Sequence, residues 1–563
     1  QRTGFMRSYS TLATIILTLT GLAACDVPPE STADAPAATA ADWILTNGRI
    51  LTVDANFSVM QAIAIQHGRV LAIGSDAEIM ALAGPDTKHT DLSGRTVVPG
   101  LIDNHMHFVR ATQQWYRHVR WDGINSRAQA FEMIKERARA LNGGEWVVVV
   151  GGWNFAQFHD NSELFTLSEL DAVAPDIPFY IQEGYRRGFA NSAALTAAGI
   201  SGETVFEGPG TLVKDDAANL TGQLVGSAMD LVTAFIPAVA DDVWDASLQD
   251  TIMSLHQMGL TTVYDVGGNS VTPAHYDAVK RAAANDELSM RVFYTLNNFN
   301  SAGGSAEEII AALKNHTPDL TGLRFAQFGY GETVYRPMRA RPWQVSQEDL
   351  DKFQAIAITA VENGWQLNEH SQRDEKIRDM LSIFERVNEV NPIGNLRWTI
   401  AHNDAISPES VKRAIDLGMV FAVHSSRRNV TPASMQNAGE AGLHMPPART
   451  IHELGGIWGL GSDATTVASP NPFHTLGWVV SGRSGSGDRT LVETVSREAA
   501  LTAHTRTNAY TLFREDDLGS LEPGKLADFA VLDRDYLAVP EEEIENLRSI
   551  MTVVGGKVVY SEL

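Results

Sequence analysis

The sequence predicts an α/β chain: a (β/α)8 TIM barrel with an insertion, plus a small β-sandwich built from both chain ends. Three observations predict it. Strand-like and helix-like segments alternate through the middle of the chain, as in a parallel sheet whose crossovers are helices. Short strands bounded by Gly, Asn or Asp crowd both ends. Polar residues gather where the middle strands stop, the rim at which barrels of this kind place their chemistry.

The eight middle strands begin with the run that ends in Asp103-Asn104-His105-Met106-His107. They continue at 260–266, 290–296, 323–328, 365–370, 396–402, 419–424 and 456–463. Residues from about 126 to 223 break the alternation and read as an insertion or lid, with strands of its own at 146–152 and 179–182. The sandwich strands fall at 43–46, 48–53, 62–66 and 69–73, then at 528–532 and 549–560, where Val554-Gly555-Gly556-Lys557-Val558 has the form of a hairpin. The domain plan is therefore sandwich over 42–98 and 513–563, with the barrel over 99–512.

Ahead of it, Arg7 supplies a positive start after Met6, residues 11–22 are apolar, and Leu22-Ala23-Ala24-Cys25 closes with small residues. The segment resembles a bacterial signal peptide with a lipobox, which makes Cys25 the lipidated residue. The apolar run is shorter than the ~20 residues of a membrane span, which favours a lipid anchor over a transmembrane one. Cys25 is the only cysteine, so it has no disulfide partner within the chain. Residues 26–41, rich in Ala, Pro, Thr and Asp, read as a tether. The expected location is the bacterial cell envelope, lipid-anchored to the membrane and facing the periplasm. A net charge of −24 without a segregated basic face excludes nucleic acid as a partner. Whether the chain forms a homo-oligomer is left open.

In a strand, residues two apart share a face, so His105 and His107 would project together, a spacing that suits one divalent cation. Strand five ends in Asn368-Glu369-His370, strand six in Ile400-Ala401-His402, and strand eight in Gly461-Ser462-Asp463. Four histidines and an aspartate at one rim form a candidate metal site. Read alone, Ser462-Asp463 would also serve as a helix N-cap.

These residues carry a resemblance. The stretch from Val98 through His107, with Asn191-Ser192-Ala193-Ala194-Leu195, Gly259-Leu260-Thr261-Thr262-Val263-Tyr264-Asp265 and Gly461-Ser462-Asp463, is similar to the amidohydrolase superfamily. The tail, 518–528 and 554–560, carries the same resemblance, which narrows for the chain to the amidohydrolase-3 branch. The resemblance covers about residues 42–563. It implies metal-dependent hydrolysis of an amide or other C–N bond, not a peptide bond, in a small-molecule substrate. The metal would polarise the scissile carbonyl and lower the pKa of a bound water, and the strand-eight aspartate would move the proton. By position, His105 and His107 are implied metal ligands, His370 and His402 ligands or catalytic carbonyl polarisers, and Asp463 both ligand and base. Ester, lactone or ring-deamination chemistry on the same scaffold is the alternative, and a non-catalytic binding relative the remaining one.

The sequence departs from that family in three places. Where many members carry a lysine at the end of strand four, the matching position reads Arg324, which cannot be carboxylated to bridge two ions. Glu332 is near enough to replace it, or is a solvated loop residue. The family's Gly-His in the insertion reads Gly184-Tyr185, followed by Arg186, and its Gln-Pro after strand seven reads His424-Ser425. Tyr185, Arg186, Arg324, Glu332 and His424 are thus candidate substrate contacts. Because Arg324 replaces the bridging lysine, one divalent metal ion per chain is expected rather than two. Zinc leads, though manganese, iron or cobalt suit the same ligands.

Overall fold

The structure, a computed structural model, describes residues 40–141, 144–268, 271–296, 304–339, 344–430 and 432–563. Cys25 and the rest of the leader and tether up to residue 39 lie outside them. Among the described residues no helix is long and apolar enough to cross a membrane.

Eight parallel strands stand side by side in chain order: Leu101–Met106, Leu260–Asp265, Arg291–Leu296, Phe325–Glu332, Gln366–Arg373, Thr399–Ala405, Val420–His424 and Ile457–Gly461. The first three are buried at every position, polar residues included, as strands covered on both faces are. Just beyond strand eight the backbone turns onto strand one. The Asp463 amide donates to the His105 carbonyl at 2.8 Å and the His107 amide to the Ala464 carbonyl at 2.9 Å, closing the barrel at its carboxyl rim. Glycine is required there: a Cβ on Gly461 would stand 2.4 Å from Asn104 Oδ1 and 2.9 Å from the His105 nitrogen. Asn508, on the helix Arg506–Thr511, fastens the same seam by donating to the carbonyls of Ile102 and Leu460 at 2.6 and 2.7 Å. Helices such as Asp374–Val390 and Pro408–Asp416 cover the outside, burying one apolar face each.

Both chain ends meet in two facing sheets. One holds Ala41–Thr46, Ala62–Gln66, Arg69–Gly74 and Ala83–Asp91; the other combines Arg49–Leu51, Val59–Met60 and Thr96–Pro99 with Phe529–Leu532, Ser549–Val554 and Lys557–Ser561. Trp43, Ile63, Val97, Phe529 and Val553 fill the space between. The barrel and sandwich thus stand as expected. The insertion forms a five-stranded sheet of its own, from Val147–Val150, Phe179–Glu183, Arg187–Ala190, Gly210–Lys214 and Leu220–Gly226. Its hairpin turn, Gly184 to Arg186, reaches the barrel rim, and so does Asn154, which donates to the Asn429 carbonyl at 3.2 Å.

Strand four requires a correction. It runs on to Glu332, four residues beyond the expected stop at 328. Arg324 therefore precedes the strand, at the amino end of the barrel, and donates to the Leu288 carbonyl at 2.7 Å. It lies eight residues from the rim and does not line it.

Candidate metal centre

Strand one ends at Met106, and His107 follows as the residue that starts the short helix Phe108–Thr112. Two buried aspartates fix the two histidines. Asp103 accepts from the amides of His105 and Ser462 at 3.0 and 3.1 Å and from the Ser462 hydroxyl at 2.5 Å, locking strand one to strand eight. Burial pushes its carboxyl up to about 6 against these donors. Asp265, at the end of strand two, accepts from the amides of Val109 and Gly267, both at 2.7 Å. That places the Gly267 carbonyl 2.8 Å from His107 Nδ1. A carbonyl only accepts, so Nδ1 carries the proton and the Nε2 lone pair faces the barrel centre.

Glu332 occupies the middle. Its Oε2 is 2.9 Å from His370 Nδ1, 3.4 Å from His105 Nε2 and 3.7 Å from His402 Nε2, and its Oε1 is 3.8 Å from His107 Nε2. The carboxylate thus stands between the His105–His107 pair and the His370–His402 pair. It is 4% exposed, which rules out a solvated loop position. Asp463 Oδ1 is 3.1 Å from His107 Nε2 and 3.8 Å from His105 Nε2. Burial works against ionising either acid, but the surrounding imidazoles win: Asp463 is held down to about 2, and Glu332 well below the usual carboxylate range. Burial also lowers His370 to about 3, leaving its imidazole neutral and able to ligate.

The residues fit a divalent cation. Both ring nitrogens of His105 and of His402 are buried without a hydrogen-bond partner, an expensive state for polar atoms. One ligand atom each from His105, His107 and Glu332 lies within 4.8 Å of the others, and the same holds for Glu332, His370 and His402. Neutral imidazole with carboxylate is a donor set that zinc and its neighbours accept.

A cavity of about 240 Å³ opens onto this cluster, lined by His107, Glu332, His370, His402 and Asp463 on its floor and by Arg110, Tyr185, Arg339 and Gln372 on its walls. Tyr185 and Gln372, with Ser426 and Val467, also border an adjoining chamber of about 370 Å³ that holds Asp404 and Arg427. Arg110 donates to Tyr185 Oη at 3.4 Å, joining the insertion hairpin to the rim. Arg186 lines the outer chamber, where it donates to the Ser434 hydroxyl and pairs with Glu183. His424 ends strand seven but lines neither space: it is buried behind His105 and His402, which corrects its expected place among the substrate contacts. Arg110, Arg339, Gln372 and Asp404 escaped the sequence reading: Gln372 and Asp404 belong to strands that run on past the histidines at which the sequence stops them, and Arg110 and Arg339 to short helices just beyond. Asp265 sat inside a recognised motif, but its role depends on a loop path that no spacing reveals.

The model of the amidohydrolase family, in its third branch, matches residues 88–560. Similar proteins run nearly the whole length. LONG AFTER FAR-RED 3 of Arabidopsis thaliana is 27% identical over 93% of this chain and 92% of its own. The N-substituted formamide deformylase of Arthrobacter pascens is 26% identical over 92% and 98%, and the putative amidohydrolase YtcJ of Bacillus subtilis 25% identical over 89% and 96%. Among solved structures, a metal-dependent hydrolase of Pyrococcus horikoshii superposes with a TM-score of 0.61 at 20% identity, covering 89% of this chain and 99% of that one. The zinc complex of atrazine chlorohydrolase TrzN from Arthrobacter aurescens gives 0.52 at 16%, covering 92% and 95%. With a family match over most of its length on top of the closed barrel and its rim of histidines, the chain belongs to the amidohydrolase family.

Proposed function

We propose that the protein is a metal-dependent hydrolase that cleaves an amide or other C–N bond of a small molecule. One observation carries this: a buried glutamate, Glu332, stands between two pairs of histidines, with an ionised aspartate, Asp463, facing the same open cavity. A divalent cation bound there supplies Lewis-acid polarisation of a carbonyl and lowers the pKa of water. His105, His107, His370 and His402 would hold it, together with Glu332 and Asp463. The expectation of a single ion rested on strand four lacking an acid at its rim. Glu332 stands there, with His105, His107, His370 and His402 all within 4 Å of its carboxylate, which supports a two-ion centre. Zinc remains the favoured metal.

Asp463 is the proton carrier. Held ionised by the neighbouring imidazoles, it can accept a proton from the attacking water and deliver it to the leaving nitrogen. Arg110 and Arg339 stand over the cavity as fixed cations, with Arg339 3.6 Å from Glu332 Oε1, and Tyr185 limits access from the insertion side. The deformylase named above makes N-substituted formamides the first substrates to try. Purified protein should hydrolyse at least one N-acyl compound from a panel that includes formamides, and should lose that activity to a chelator and regain it with added zinc. Hydrolysis unaffected by complete metal removal would sink the reading.

We also propose that lipid on Cys25 anchors the enzyme to the envelope, facing the periplasm. Cys25→Ser should release it from the membrane fraction. Retention of the variant on membranes at high salt would refute the anchor.

A further inference from the structure

We infer that His424 is a ligand of the metal centre, so that an ion held by His105 and His402 takes a third imidazole from strand seven. The inference rests on reading the rim as a metal centre and adds a residue to it.

His424 ends its strand 1% exposed, with its ring 4.0 Å from that of His105 and 4.4 Å from that of His402, centroid to centroid. Neither of its ring nitrogens has a hydrogen-bond partner, and the same is true of both nitrogens in each of the other two rings. Among the described residues none of these six buried nitrogens makes a hydrogen bond, and Nε2 of His105 and of His402 face an acid, Glu332, at 3.4 and 3.7 Å. Buried polar atoms are normally paired, and no carbonyl, hydroxyl or second imidazole among the described residues pairs these. A nitrogen from each of the three lies within 4.8 Å of the other two. Nitrogens bound about 2.1 Å from one tetrahedral ion stand about 3.4 Å apart, so small ring rotations bring all three onto a shared cation.

The plainer roles fit less well. His424 does not line the cavity, so it does not touch substrate. It makes no hydrogen bond, so it does not orient a neighbour as Asp265 orients His107. An extra imidazole also has a chemical consequence: an all-nitrogen face favours zinc, cobalt, nickel or copper over magnesium or calcium, which prefer oxygen.

The test uses the full chain, stripped of metal and titrated with cobalt(II), whose visible absorption reports coordination number and ligand type. His424→Gln, checked for fold by circular dichroism, should bind cobalt about tenfold more weakly or worse and should show a changed visible spectrum. An unchanged spectrum overturns the inference, whether or not affinity falls, because a ligand cannot leave without altering the spectrum. So does a wild-type protein that binds no cobalt, and that result would take the metal-centre reading with it. If His424→Gln does not fold, anomalous diffraction from zinc-loaded wild-type crystals decides: a peak about 2.1 Å from a His424 nitrogen supports the inference, and its absence there refutes it.

Discussion

The two ends of this barrel treat buried charged groups in different ways. At the amino end the charges are paired. Arg291 makes a bidentate contact with Asp528, at 2.6 and 2.9 Å, and gives a further bond to the Leu323 carbonyl. Arg514 spends its donors on the carbonyls of Gly322, Leu320 and Phe513, and Arg324 on that of Leu288. At the carboxyl end, five histidines crowd around Glu332 and Asp463, and both nitrogens of His105, His402 and His424 go unpaired. The same eight strands supply both ends. The difference shows where charge is neutralised within the fold and where groups are left for chemistry: a cation would pair the nitrogens of the carboxyl end.

Breaking each end separately should therefore give different failures. At the carboxyl end, Asp463→Asn removes the proton acceptor while leaving most ligands in place. It should lower kcat by about 10²–10⁴-fold with most of the metal retained, as read by steady-state kinetics beside elemental analysis. Loss of metal in proportion to activity would instead make Asp463 chiefly a ligand. At the amino end, Asp528→Asn strands Arg291 in a buried site. The change should cost about 3–5 kcal/mol in urea unfolding, with kcat of the folded fraction little changed. A stable variant with damaged kinetics would erase the distinction between the ends.

Much of this contrast was legible in the sequence, and the exceptions have physical reasons. The barrel strands stood out because strands buried on both faces begin as apolar runs, and the rim histidines because each stands where such a run stops. Strand four was cut short since its last residues, Gly329-Tyr330-Gly331-Glu332, lose the apolar signal while the backbone stays in the sheet. That error moved the search for a bridging residue to Arg324, at the wrong end, and left Glu332 as a loop candidate. The sandwich strand Ala83–Asp91 was missed because it is a polar edge with little to bury. His424 was visible as a departure from its family, but only the packing of three rings shows which way it faces.

Smaller effects refine the picture. Burial lowers His256 and His504 to about 4, whereas in the unfolded chain each titrates near 6.5. Both stay neutral when folded, so the stability they contribute is complete above pH 6.5 and is lost as pH falls toward 4. Each should add about 1.4 kcal/mol per pH unit to the slope across that window. Urea unfolding at pH 7, 6 and 5 should show the decline, and His256→Gln should flatten it; an unchanged slope would mean His256 protonates without cost. Arg324→Met should leave KM for any substrate within about twofold of wild type, since the residue is remote from the cavity. A tenfold rise would return it to the site.

The count of metal ions held by Glu332 tests the central claim most directly. Equilibrium dialysis with elemental analysis should find two equivalents of zinc per chain in the wild type and one or none in Glu332→Gln, with hydrolysis falling alongside. Two equivalents and full turnover in the variant would contradict a centre built around that carboxylate.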